Sequence, residues 1–214
     1  HIRAVSHMER VAAVWVEEHG RPCSEADVEA MFERFVPLQL EVLADHAQLI
    51  PEVPLAQASF RRRGLAIGTT TGYNRQMMDV LVPLAKRQGY EPDHVVCASE
   101  VPAGRPAPWM ALRNAEHLGI YPLESCVKIG DTPSDIAEGL NAGMWSVGVV
   151  MSSNELGMSP DEIRRADSSE LERRKEWARG RMLGAGAHFV VDALSDINGV
   201  LDEIGERLKR GERP

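Results

Sequence analysis

The chain has 214 residues, 43% of them apolar and 26% charged, with a formal net charge of −8. It can bury a sizeable core, and its acidity excludes a sequence-independent grip on nucleic acid, which needs a basic face. Cys23, Cys97 and Cys126 match neither a metal-ligand spacing nor a disulfide framework, and no apolar run approaches the ~20 residues of a membrane span, so the expectation is a reduced, cytoplasmic protein with no membrane partner.

The first residue is His1 rather than Met, and Ile2, Val5, Met8, Ala12, Trp15 and Val16 already follow helical spacing. This predicts a helix over 1–19, stopped by Gly20 with Pro22 close behind. Ser24, with Asp27 three residues on, caps a second helix whose Val28, Met31, Phe32 and Phe35 line a helix–helix core. Pro37 is expected to end or kink it, with a further helical piece over 38–46.

After Ile50 the pattern changes. Apolar runs at 65–68, 94–97, 126–129, 146–150 and 188–191 read as strands. Helical patterns lie between and after them, at 54–63, 75–88, 108–118, 134–141, 168–183 and 195–209, with Pro83 suggesting a kink. Strand and helix alternating at this spacing predict a parallel sheet with helices on both faces. The division expected is a helical domain over 1–48 and an α/β core over 49–214.

Ligands of open parallel α/β sheets bind beyond the carboxyl ends of the strands. Three of those ends carry unusual polar residues. Gly68-Thr69-Thr70-Thr71-Gly72-Tyr73 offers hydroxyls and free N–H groups for an anion, or an ordinary capped turn. In Val101-Pro102-Ala103-Gly104-Arg105-Pro106 the prolines stiffen a loop around Arg105. That arginine is either a fixed guanidinium for phosphoryl oxygens or a surface residue. Gly130-Asp131-Thr132-Pro133-Ser134-Asp135 carries two carboxylates at a strand-to-helix turn, which suit a hard divalent cation; the alternative is a capping and a solvated carboxylate. Together they offer what phosphoryl transfer requires: donors, a pinned cation and an acidic metal site.

The order Thr71, Arg105, Gly130-Asp131-x-x-x-Asp135 resembles motifs two to four of the haloacid dehalogenase superfamily. Within it, Ile67 to Tyr73, Met77-Met78-Asp79, Val101 to Pro106, Pro108-Trp109-Met110 and Asn141-Ala142-Gly143-Met144-Trp145 are similar to the phosphonoacetaldehyde hydrolase family. The resemblance implies a Rossmann-like core with a helical cap inserted after the first strand. It implies hydrolysis of the carbon–phosphorus bond of phosphonoacetaldehyde through a lysine Schiff base and an aspartyl-phosphate, with Mg²⁺. Thr71, Gly72 and Arg105 would hold phosphoryl oxygens, and Tyr73 would sit at the pocket mouth. Asp131 would bind magnesium, Asp135 would support it, and His1 would assist proton transfer during imine formation. A homodimer through the cap helices is implied as well.

The motif-one segment and the Schiff-base lysine have no counterpart in residues 1–214. The first core strand, expected between the strands ending near Gly68 and Gly130, is missing with them. The expectation is therefore the retained part of a longer protein, with covalent catalysts upstream and little activity alone. Two alternatives are a phosphatase or phosphomutase acting on a phosphate ester, and a truncated, non-catalytic dimerising form.

Overall fold

In the computed structural model, which describes residues 2–214, the chain divides into a unit ending at Ala47 and a unit running Gln48–Pro214. In the first, α1 (Ile2–Ser6), α2 (Glu9–His19) and α3 (Glu25–Val42) are helices. The single helix expected over 1–19 is broken: Met8 is extended, at φ −66° and ψ 133°. The Ser6 hydroxyl and His7 Nδ1 both turn back onto the Arg3 carbonyl, at 2.9 and 2.7 Å, and so compete with the helical ladder. Gly20 closes α2 in the left-handed region, at φ 66°, where its N–H reaches the Val16 carbonyl.

Ser24 and Asp27 form the reciprocal cap at the start of α3. The helix does not end at Pro37. That residue is exposed, so water can satisfy the carbonyl its missing N–H leaves free. The expected apolar core of this helix is also thinner: Val28 is buried, whereas Phe32 is 55% and Phe35 42% exposed. A unit of three helices is too small to cover every apolar face.

The second unit begins with α4 (Val53–Arg62). It then alternates β1 (Gly68–Thr71), α5 (Arg75–Arg87), β2 (His94–Cys97), α6 (Trp109–His117), β3 (Val127–Gly130), α7 (Pro133–Asn141) and β4 (Trp145–Val149). It ends with α8 (Pro160–Arg165), α9 (Ser168–Gly184), β5 (Phe189–Val191) and α10 (Ile197–Lys209). α8 was not anticipated, and α5 runs through the exposed Pro83 without ending. All ladders are parallel.

β1 starts three residues later than the apolar run at 65–68 suggested. Its partners are Gly68 with His94 through Thr71 with Cys97, so the β-branched threonines form the strand rather than the loop after it. Just before it, the Ile67 N–H is taken by the Asp93 carboxylate at 2.7 Å.

The strands form two sheets, β1–β2 and β3–β4–β5, and no ladder joins β1 to β3 among the described residues. The main core lies on the second sheet, where Trp145, Val147, Val149 and Val191 pack with Ile197 and Ile204 of α10. No helix of the described residues is long and apolar enough to cross a membrane.

Candidate active site

The carboxyl ends of β1, β2 and β3 converge through side chains. Asn74 caps α5 by accepting the Met77 N–H at 2.9 Å, which fixes the turn Gly72-Tyr73 between β1 and α5. After β2, Glu100 accepts the Cys97 N–H at 2.7 Å and two bonds from Arg75, at 2.9 and 2.8 Å. The start of α5 is thereby clamped to the segment that leads into the Arg105 loop. Asn141 of α7 donates to the Pro106 carbonyl at 2.8 Å and holds that loop from the other side.

Arg105 reaches into the space between β1 and β3. Its Nη2 donates to the Thr70 carbonyl at 2.7 Å, and its Nη1 lies 2.9 Å from Asp135 Oδ1. Its Nε lies 3.2 Å from Glu138 Oε2. The angle of that contact is poor enough to leave Nε without a formed hydrogen bond, so the contact is one of charge. Lys128, on β3, sends Nζ to the same two carboxylates, 2.6 Å from Glu138 Oε2 and 3.3 Å from Asp135 Oδ1, and donates to Thr70 Oγ1 at 2.7 Å. Asp135 and Glu138 are buried on one face of α7, three residues apart.

Glycine makes this packing possible. A Cβ at Gly130 would fall on Asp135 Cβ and 2.6 Å from its Cγ, and one at Gly139 would lie 2.6 Å from Lys128 Cβ. The α7 cap is Thr132, whose hydroxyl accepts the Asp135 N–H at 3.3 Å and donates to Asp135 Oδ2 at 2.7 Å.

The two carboxylates of the turn differ in character. Burial opposes ionisation of Asp135, but the Lys128 and Arg105 charges and the Thr132 hydroxyl outweigh it and hold the carboxyl below its ordinary range. Asp131 is pushed up, chiefly by burial and then by the Asp135 charge, with a backbone bond from Asn154 and the Arg105 charge only partly opposing this. Among the described residues Asp131 forms no ion pair, and no group of three or more His, Cys, Asp or Glu side chains gathers into a metal cluster. A half-buried carboxylate that no basic side chain pairs suits a divalent ion that completes its shell with water, backbone carbonyl or ligand oxygens.

The structure therefore brings Arg105, Asp131 and Asp135 to one end of one sheet system. Thr71 lies beside them but is not part of the charge cluster: its hydroxyl accepts the Tyr73 N–H at 3.1 Å. Gly72 and Tyr73 are exposed on the same turn. His1 lies outside the described residues.

Thr70, Lys128 and Glu138 were not singled out from the sequence. A lysine within the otherwise apolar run Cys126-Val127-Lys128-Ile129, and a glutamate three residues after Asp135 on the same helix face, were the available signals.

A family model described as haloacid dehalogenase-like hydrolase matches residues 3–143. The whole chain is similar to a "Phosphonoacetaldehyde hydrolase-like protein" of Syntrophobacter fumaroxidans, at 49% identity over 77% of that protein. It is also similar to a "Phosphonoacetaldehyde hydrolase" of Nitratidesulfovibrio vulgaris, at 47% identity over 76% of that protein. Among solved structures, a phosphonoacetaldehyde hydrolase-like protein from Oleispira antarctica superposes with a TM-score of 0.96 at 37% identity, covering 100% of this chain and 77% of the other. A β-phosphoglucomutase from Clostridium difficile superposes with a TM-score of 0.61 at 16% identity, covering 97% of this chain and 78% of the other, a likeness of fold alone.

Proposed function

The chain belongs to the haloacid dehalogenase-like hydrolases and, within them, to the phosphonoacetaldehyde hydrolases, and from that premise we propose that it hydrolyses the carbon–phosphorus bond of phosphonoacetaldehyde to phosphate and acetaldehyde. The observation that carries the reading is the convergence on Arg105 of the end of β1, through Thr70, and the start of α7, through Asp135, beside the half-buried Asp131 carboxylate.

Arg105, the Thr71 hydroxyl and the Gly72 N–H would take the phosphoryl oxygens, and Tyr73 would stand at the mouth. Asp131 would hold a Mg²⁺ ion, with Asp135 in support directly or through water. When bound, that ion supplies charge neutralisation for the phosphoryl group. The family's route condenses a lysine amine with the aldehyde, releasing water, and His1 assists the proton transfers. An aspartate carboxylate then attacks phosphorus while the carbon–phosphorus electron pair moves into the protonated imine, leaving an enamine. Water releases phosphate from the aspartyl-phosphate, and protonation and hydrolysis of the enamine give acetaldehyde and free lysine. The reading assigns that lysine and that nucleophilic aspartate to polypeptide outside residues 1–214. A carbanion is a poor leaving group and an enamine a tolerable one, which is why the imine is needed. The reading includes a homodimer through the helices of residues 1–47, supported by the exposed Val14, Phe32 and Leu38.

Protein that includes the motif-one segment should release phosphate and acetaldehyde together from phosphonoacetaldehyde, and borohydride added with substrate should trap a covalent adduct. Turnover of phosphomonoesters with phosphonoacetaldehyde left intact would select an ester phosphatase or mutase instead.

A further inference from the structure

The cation read as the phosphoryl ligand is already occupied. Arg105 faces Asp135 Oδ1 and Glu138 Oε2, and its Nη2 is spent on the Thr70 carbonyl. A guanidinium that left these partners for a phosphoryl group would strand two carboxylates whose side chains are 4% and 0% exposed, and an uncompensated buried charge is strongly unfavourable.

Lys128 resolves this. Its Nζ contacts the same two oxygen atoms, Asp135 Oδ1 and Glu138 Oε2, so each carboxylate is shared between two cations. The two cations are not equivalent. Arg105 has 24% of its side chain exposed and Lys128 10%. The lysine stem runs over the bare backbone of Gly139, where any Cβ would collide with it. The lysine is therefore the fixed counter-ion, and the arginine is the one with access to a ligand.

We propose that Lys128 is a positioning residue for Arg105: by holding Asp135 and Glu138 compensated, it frees the guanidinium to turn to a phosphoryl oxygen. The inference rests on the reading of Arg105 as a phosphoryl ligand. Two basic and two acidic side chains make the cluster formally neutral. Removing the lysine charge leaves it negative and ties Arg105 to its carboxylates, whereas removing the Glu138 charge loosens it.

The test is calorimetric titration of the folded protein with inorganic phosphate, with circular dichroism to verify the fold of each variant. Lys128→Met should weaken phosphate binding about tenfold or more, and Lys128→Arg should stay within about threefold of the parent. Lys128→Met combined with Glu138→Gln should recover most of the loss, because it restores charge balance. Glu138→Gln alone should bind phosphate more tightly than the parent, a gain that damage to the fold cannot mimic. A Lys128→Met variant that binds as the parent does overturns the inference, as does a double variant no better than the single one, or a Glu138→Gln variant no tighter than the parent. If Arg105→Met also binds phosphate as the parent does, the reading of Arg105 fails and the inference with it. If Arg105→Met loses phosphate while Lys128→Met keeps it, the inference alone fails.

Discussion

The two sheets of the α/β unit are built on opposite terms. All five residues of β4 are buried, and its Trp145, Val147 and Val149 pack within the apolar core. β1 is three threonines after a glycine, none of them buried, and its polar atoms are met by side chains. Asn114 donates to the Thr69 carbonyl at 3.0 Å, Tyr90 Oη lies 2.6 Å from Thr69 Oγ1, and Arg105 donates to the Thr70 carbonyl. A strand with a ladder on each side is held by its backbone and can be lined with apolar groups. Among the described residues β1 has one ladder, and side chains meet the hydrogen bonds it leaves over; those side chains are the ones that can do chemistry.

Substitutions on the two sides should separate these modes of support. Ile197→Ala, within the core over β4, should cost about 2–5 kcal/mol in chemical denaturation and leave phosphate affinity unchanged. Gly130→Ala should cost about 1–3 kcal/mol through overpacking against Asp135, and it should also weaken phosphate binding, because the carboxylate that anchors Arg105 must move. Thr69→Val, which removes the hydroxyl beside Tyr90, should cost about 1 kcal/mol. Equal losses for Thr69→Val and Ile197→Ala would erase the contrast between the sheets.

Two further tests depend on pH. Asp131 has a folded pKa above its unfolded value. The metal-free protein should therefore gain stability as pH falls from the raised value toward the ordinary carboxylate range, while cation binding weakens over that same window. Asp131→Asn should keep or raise the metal-free melting temperature and abolish the calorimetric signal of added Mg²⁺. The smallest effect belongs to His188, beside β4. Its Nδ1 accepts the Ser146 N–H at 2.9 Å, and burial, with the Arg207 charge, lowers its pKa from 6.5. The unfolded chain takes up that proton first, so this contribution is complete above pH 6.5 and is lost as pH falls through the lowered folded value. Melting temperatures from pH 7.5 to 5 should fall less steeply in His188→Gln.

Much of this was legible in the residues themselves. The alternation of short apolar runs with helical patterns specified parallel strands, because a crossover helix leaves its mark between each pair. The turn after β3 announced itself through two carboxylates beside a glycine. The cluster around Arg105 was not legible. Lys128 and Glu138 are ten residues apart on different elements, and nothing local pairs a lysine inside a strand with a glutamate on the following helix. β1 starts later than the sequence suggests because an apolar run such as Leu65-Ala66-Ile67 marks burial but not pairing, and the register is set by the partner strand. Helices ran through Pro37 and Pro83 because each proline faces water, a fact of three dimensions rather than of sequence.

Among the described residues no ladder joins β1 to β3, with a consequence for the motion of residues 2–214. Amide protons in the β1–β2 ladder can open to solvent without unzipping β3–β4–β5, so deuterium should enter the two ladders in separate waves, first at Thr69 to Thr71 and last at Val147 to Val149. An anion bridging Arg105 and the end of β1 would slow the first wave and bring it closer to the second, so exchange rates would report occupancy of the site without any turnover.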